Sequence, residues 1–431
     1  MTHTCDGIST NHLNAAGLLQ LPEQWKVVRF GRIVRKSQYG LSLSEDPDGE
    51  IPMLRMNNIE DGRISTSELV HVSLSEEDRK QYLLRQGDFL LNRTNSYDLI
   101  GKSAVVEEDS NCTFASYLVR FDLDRAAVEP QFVCYYFNRP GSRKLLQRIA
   151  TRGVSQCNIN PTSLQRYFLI PVPPLQEQKS IVAILALWDR AIEQSTRLIE
   201  AKRRLKAGVL QQLFTGKRRF PEFVRTAGTR ATRFGAVPGD WDYPKIECIA
   251  SEVTNRNTNG EDIQVLSCTK YDGLVDSLEY FGRRIFSEDT SGYKVVKPGQ
   301  FAYATNHIEE GSIGLLDDAD AGLVSPMYTV FETNSRVHPP FLYKVFKTEL
   351  YRHIFQVNTS ASVNRRGGLR WADFARIHVP LPSLYEQKKI SDCIDTFEAE
   401  THLLHRQLDA LRTQKKALMQ KLLTGQIRVK V

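Results

Sequence analysis

The chain is written twice, and that constrains its fold more than any other feature. Residues 169–184 read LIPVPPLQEQKSIVAI and residues 378–393 read HVPLPSLYEQKKISDC. Pro171 and Pro380 stand 209 residues apart; the same offset pairs Pro173 with Pro382, Glu177-Gln178-Lys179 with Glu386-Gln387-Lys388, and Ile181 with Ile390. It runs without a gap to Thr215-Gly216, which match Thr424-Gly425. Upstream the likeness is looser but keeps its order: Trp25 pairs with Trp241, Gly87 with Gly299, Ile100-Gly101 with Ile313-Gly314, and Phe121 with Phe331. That many matches in one order mark a tandem duplication, and the small drift in offset upstream says that loops differ between the halves. Each half must therefore fold into its own version of one unit, and 431 residues suffice for two or three domains.

Each half has two parts. The first is built of short apolar runs broken by Gly, Asn, Asp and Pro. DFLLN, SAVVEE and SYLVRFDL read as strands and EPQFVCYYFNRPGSRKLLQRI as helical, which gives a mixed α+β domain. The second part opens after a proline-rich stop and runs for about 40 residues almost without Gly or Pro, the pattern of a long helix. In the second copy Ile390, Ile394, Phe397, Thr401, Leu404, Leu408, Leu411, Lys415, Leu418 and Leu422 alternate spacings of four and three. The first copy repeats this with Ile181, Leu185, Trp188, Ile192, Ser195, Ile199, Lys202, Lys206, Val209 and Leu213. A repeat of 3.5 residues is a coiled-coil seam, and two seams in one chain can pair with each other. The alternative is two amphipathic helices packed on their own domains. Residues 1–170 are thus expected to form a first domain, 171–220 a long helix, 221–236 a linker, 237–379 a second domain, and 380–431 a second long helix and tail. The expected fold class is α+β: two tandem mixed α/β domains separated by two long helices that form an antiparallel intramolecular coiled coil with pseudo-twofold symmetry.

Several classes of function are excluded or disfavoured. The longest apolar run, Ile181 to Trp188, is far too short for a membrane span, and no basic start followed by an apolar core marks a secretory signal, so a cytoplasmic location is expected. The seven cysteines form neither CxxC nor CxH pairs, and the nine histidines offer no HExxH, so no metal ligand set is expected. Gly101-Lys102-Ser103 resembles the end of a phosphate loop, but Ser96 stands where that loop needs a glycine; a turn glycine between strands is the better reading. Asn158-Ile159-Asn160-Pro161 lacks the second proline and the aromatic of an adenine methyltransferase tetrapeptide. Asp317-Asp318-Ala319-Asp320 reads as a solvated loop. No catalytic and no cofactor-binding residues are assigned.

A mixed domain, a PxPPLxEQ-type helix start and a long helix ending in LxTG, all repeated once, resemble the specificity subunit of type I restriction–modification enzymes (the HsdS family). PVPPLQEQKSIVAIL and PLPSLYEQKKISDCI resemble its conserved regions, and LRQGDFLLNRTNSYDLIGKSAVV followed by FASYLVRFD resembles the body of its target-recognition domain. The second copy departs from the pattern at Ser383 and Gln300. The resemblance implies a non-catalytic DNA-binding scaffold. Each target-recognition domain would read one half of an interrupted, asymmetric double-stranded DNA target, and the helices would set the spacing. Two adenine-N6 methyltransferase (modification) subunits and restriction nuclease/translocase subunits would dock on it, and S-adenosylmethionine, ATP and Mg would be bound by those partners, not by this chain. A self-sufficient DNA-modifying enzyme with a diverged site and a protein scaffold without a DNA role remain the rival readings.

Reading DNA needs cations for phosphates and polar side chains for base edges, with Arg suited to guanine and Asn or Gln to adenine. The net charge of +7 suits a polyanion partner. In the first domain the loops dense in such residues hold Asn92, Arg93, Thr94, Asn95, Ser96, Tyr97 and Lys102, then Arg152, Ser155, Gln156 and Asn158. Their counterparts are Thr305, Asn306 and His307, then Asn358, Ser360, Asn364, Arg365 and Arg366. Any of them could equally be an ordinary hydrophilic turn. The basic runs Lys202-Arg203-Arg204 and Lys217-Arg218-Arg219 are expected on the outer face of the helix or against a partner subunit.

Overall fold

In the computed structural model, which describes residues 13, 14, 16–18, 20–154, 156–224, 228–232, 235–359 and 368–430, the repeat is visible as one set of elements built twice. In the first set, β1 (Val34–Tyr39), β2 (Phe89–Asn92), β3 (Ser103–Val105) and β4 (Leu118–Leu123) form an antiparallel sheet in the order β1-β4-β2-β3. Both faces of this sheet are covered. Phe89, Val119 and Phe121 pack into one core with Phe30, Phe132 and Phe137, while Leu90, Ala104 and Leu118 point into a second with Phe114. That is why DFLLN is a continuous apolar run and not an alternating one. The helical stretch that follows is two helices, α1 (Pro130–Asn138) and α2 (Pro140–Ile149). The break falls at Arg139, whose extended backbone is what the residue before a proline favours. Its buried guanidinium is satisfied by the Ala16 carbonyl at 2.9 Å, Ser142 Oγ at 2.9 Å and Gln420 Oε1 at 3.2 Å. The long helix α3 (Leu175–Phe214) follows, 40 residues without interruption.

The second set repeats the first. Strands β5 (Ala250–Val253), β6 (Phe301–Ala304), β7 (Ile313–Leu315) and β8 (Tyr328–Thr333) take the order β5-β8-β6-β7, all antiparallel. Phe301, Tyr303 and Phe331 face Phe341, Phe346 and Phe374, and Ala302 and Val330 face Leu316 and Val324 on the other side. Helices α4 (Pro339–Phe346) and α5 (Glu349–Asn358) follow, then α6 (Leu384–Leu423), again 40 residues. No helix among the described residues is long and apolar enough to cross a membrane.

The chain divides into two compact units, Met1–Arg197 with His405–Val431, and Leu198–Leu404, so each long helix contributes to both. Within the second unit α3 and α6 lie antiparallel: Lys202 Nζ reaches Glu400 and Lys206 Nζ reaches Glu398, each at 2.6 Å. Within the first, Asp189 of α3 meets Lys415 of α6 and also accepts from Tyr135 Oη at 2.6 Å. All ten seam positions in each helix are buried or half-buried. The polar seam residues Lys206 and Lys415 are repeat equivalents, and both carry a carboxylate partner from the other helix. Placing a polar pair in a seam costs stability and favours one register.

Two motifs owe their composition to the joint between helix and domain. Gln178, fully buried, accepts from Glu129 N at 2.9 Å and donates to the carbonyls of Ala127 and Pro173. Gln387 does the same with His338 N, Arg336 and Pro382. The adjacent carboxylates carry the second half of the joint. Glu177 accepts from Trp25 Nε1 at 3.0 Å and is gripped by Arg428 at 2.6 and 2.9 Å. Glu386 accepts from Trp241 Nε1 at 3.1 Å and is gripped by Arg219 at 2.8 Å through both nitrogens. Each helix turns off at a left-handed glycine, Gly216 against Pro238 and Trp241, Gly425 against Pro22 and Trp25. A side chain at either would collide with the proline ring, so the TG ending is a packing requirement.

Two expectations need correction. Arg219 does not belong to an outward basic face: its side chain is nearly buried between Glu386 and Asp240. The stretch 221–236 is also more than a linker. Its described residues include Phe223 in a buried position and the strand Thr229–Thr232, which pairs with Gly235–Pro238 as a hairpin.

Candidate nucleic-acid interface

Beyond the end of β2 the first unit builds a second, small sheet. Cys157–Asn158 is its central strand, flanked by Thr151–Arg152 and Thr94–Asn95, both antiparallel. This joins the two polar loops of the first domain that lie some sixty residues apart in sequence. Strand periodicity explains how. Cys157 and Ile159 are anchored in the core, so Asn158 between them must face the other way. Ile159 N donates to the Arg93 carbonyl at 2.8 Å and locks the two segments together. At the outer turn Gly153 N donates to the Gln156 carbonyl at 2.8 Å, and a Cβ on Gly153 would come equally close to that oxygen.

Arg93 organises this edge. Its Nη2 donates to Asn158 Oδ1 at 2.9 Å, its Nη1 to the Ser116 carbonyl at 3.3 Å, and its guanidinium lies 5.0 Å from the centre of the exposed Tyr39 ring. With its Oδ1 engaged, Asn158 has its amide nitrogen as a donor. Arg152 stacks on Tyr97, 4.2 Å from ring centre to guanidinium carbon, and the loop under Tyr97 is tied to α2 by Gln147 and Arg143. Cations over aromatic faces are held in place without losing their charge. Ser96 and Gln156 are exposed, Lys102 half-buried, and Asn95 Oδ1 accepts from Ser96 N. The structure therefore gathers Arg93, Thr94, Asn95, Tyr97, Arg152 and Asn158 on one edge.

Asn92 does not belong with them. Its side chain is 0% exposed and donates to the Met56 carbonyl at 3.1 Å, which ties β2 to the loop after Leu54. A polar residue at a strand end reads as a loop in sequence, but the covered sheet face claims it. Ser155 lies outside the described residues. Tyr39 and Tyr117, both exposed beside Arg93, were missed because they flank strands far from the polar loops; the Tyr117 carbonyl accepts from Arg93 N at 2.9 Å.

Of the corresponding place in the second unit, the described residues include Thr305, Asn306, His307 and Asn358. Leu369 N donates to the Thr305 carbonyl at 2.8 Å, as Ile159 does to Arg93, and Thr305 Oγ1 donates to the Met327 carbonyl at 3.2 Å. Asn306 is exposed. His307 Nδ1 lies 3.3 Å from Glu310, and with Glu309 the three offer ligand atoms within 4.8 Å of one another. Two carboxylates beside His307 weaken any attraction of this loop for phosphate. Asn358 donates to the Ile354 carbonyl at 2.8 Å, ending α5. Ser360, Asn364, Arg365 and Arg366 lie outside the described residues.

Away from this edge, burial pushes the thiols of Cys134 and Cys268 up to about 12. Fixed guanidinium groups, amides and exposed rings are what a base-reading surface needs.

Comparison with known proteins agrees with this assembly. The family model described as the type I restriction modification DNA specificity domain matches twice, at residues 22–203 and 240–413. The chain is 26% identical over 432 residues to a protein named as the type I restriction enzyme MjaX specificity subunit of Methanocaldococcus jannaschii, covering 95% of each. It is 23% identical over 208 residues to the EcoKI specificity subunit of Escherichia coli K12, covering 46% of this chain and 44% of that one. Among solved structures, the HsdS subunit of Thermoanaerobacter tengcongensis superposes with a TM-score of 0.52 at 18% identity, covering 95% of this chain and 98% of that one. The S subunit of a type I system from M. genitalium gives 0.52 at 15% identity, covering 93% and 96%.

Proposed function

Because the chain belongs to the family of type I restriction–modification DNA specificity domains, we propose that it is the subunit that reads a bipartite DNA target and carries no catalytic machinery of its own. The observation that carries this reading is the duplication: the same sheet, helix pair and joint occur twice, with a different polar edge on each copy. Two unlike edges on one scaffold suit two unlike half-sites. The first edge reads its half-site through Asn95, Asn158, Arg152 and Gln156, with Arg93 setting the pose of Asn158. The paired helices hold the spacing between the half-sites. Methyltransferase subunits dock on this scaffold and bring S-adenosylmethionine, and restriction subunits bring ATP and Mg.

The test is reconstitution. The purified chain alone should transfer no methyl groups to DNA, and activity should appear when its modification subunits are added. The complex should bind its target with an affinity that falls steeply as salt rises, since phosphate contacts release counterions. Methyl transfer by the chain alone would defeat the non-catalytic reading.

A further inference from the structure

The outer turn of the small sheet carries an apolar side chain that polar-contact reasoning passes over. Val154, which follows Gly153, is fully exposed. Among the described residues it belongs to no core cluster. Yet its base is held firmly. Cys157 and Ile159 are anchored in the core, Arg152 is stacked on Tyr97, and Asn158 is bonded to Arg93. A stiff β-branched side chain is thus presented to solvent next to Gly153, whose N–H bonds to the Gln156 carbonyl.

We propose that Val154 contacts the C5 methyl of a thymine in the major groove of the first half-site. The inference rests on the reading of this edge as a DNA interface. The major groove admits a β-ribbon, and thymine alone of the four bases offers an apolar group there. Arg152, Gln156 and Asn158 supply hydrogen-bonding partners for the base edges around it. An apolar tip among polar neighbours matches a pattern in which one A·T pair is read through its methyl and its neighbours through donors and acceptors. Valine also loses little side-chain entropy on docking.

The test uses the full chain in complex with its modification subunits, and duplexes carrying the mapped target. Each thymine of the first half-site is replaced in turn by uracil, which removes only the methyl. One methyl group's worth of buried contact corresponds to about fourfold in affinity. At one position uracil should weaken binding by the wild type about fourfold and leave binding by the Val154→Ala variant unchanged within about twofold. Because Val154 packs against nothing, the variant should fold and assemble normally. If no thymine shows a loss that depends on Val154, the proposal is overturned. It is equally overturned if Val154→Ala weakens assembly with the modification subunit and leaves uracil sensitivity intact, because the tip then serves a protein contact. Failure of the wild-type complex to discriminate any DNA sequence would instead overturn the reading on which the proposal rests.

Discussion

At the joint of the first repeat Glu177 holds Trp25 and Arg428; at the joint of the second, Glu386 holds Trp241 and Arg219 with nearly the same distances. Along the candidate DNA edges the two repeats part. Where Arg93 stacks on Tyr39 and fixes Asn158, the equivalent Thr305 makes one hydrogen bond to a backbone carbonyl. Where Arg152 covers Tyr97, the second loop offers His307 beside two glutamates. The joints repeat because they solve a packing problem that both halves share. The edges differ where, on the proposed reading, each would meet a different stretch of DNA.

That contrast can be broken at the joint first. Glu177→Ala should leave Trp25 Nε1 without an acceptor and uncouple Arg428, and Glu386→Ala should do the same to Trp241 and the nearly buried Arg219. Removing one partner from a buried ion pair costs about 3–5 kcal/mol. Glu386→Ala, which strands the nearly buried Arg219, should therefore lose stability on that order in chemical denaturation, and Glu177→Ala should lose less, because the Arg428 it leaves behind is 40% exposed. If one variant were neutral, the two joints would not be equivalent.

The edges should respond differently. Arg93→Ala frees Asn158 and removes the guanidinium beside Tyr39. The loss at one base pair of the first half-site should be about 1–3 kcal/mol, with base preferences at the second half-site unchanged. Thr305→Ala should change the second half-site's affinity by less than about threefold, since one hydrogen bond to a backbone carbonyl is lost. Binding to duplexes with single base-pair changes reads both. Equal losses in the two variants would mean that the second edge is as organised as the first.

The seam offers a finer comparison. Lys415 pairs with Asp189, whose side chain is 14% exposed, whereas Lys206 pairs with Glu398, at 53%. Lys415→Ala should cost about 1.5–3 kcal/mol, since a charge-assisted bond to a sheltered carboxylate is lost. Lys206→Ala should cost less than about 1 kcal/mol because water replaces the lysine. Thermal melts of the two variants decide the order. A further small effect is expected at Asn92. Asn92→Ala should lower stability by about 1 kcal/mol through the lost Met56 hydrogen bond and leave base preferences untouched. A shifted target would return Asn92 to the DNA edge.

Much of the fold was legible in the sequence, for physical reasons. An exact offset of 209 residues and a 3.5-residue apolar spacing both survive in one dimension, and they gave the duplication, the long helices and the seam. The joint was half legible: Glu177, Glu386 and both tryptophans stood out as repeat matches, but Arg219 looked like part of a basic run. Its pairing depends on a carboxylate 167 residues away, a separation that no local pattern encodes. The small sheet was legible only as two polar loops. Because composition marks a loop as polar without saying which way each residue faces, it groups the buried Asn92 with residues that point outward and gives no sign of Tyr39, Tyr117 or Val154.

The central claim is that two unlike edges read two unlike half-sites at a fixed separation. Mapping N6-methyladenine across the DNA of cells that express this chain with its modification subunits tests it directly. The account predicts a single interrupted motif, its two halves different in sequence and separated by a constant number of unspecified bases. A continuous motif, or an interrupted one whose halves are the same sequence in inverted orientation, would contradict it.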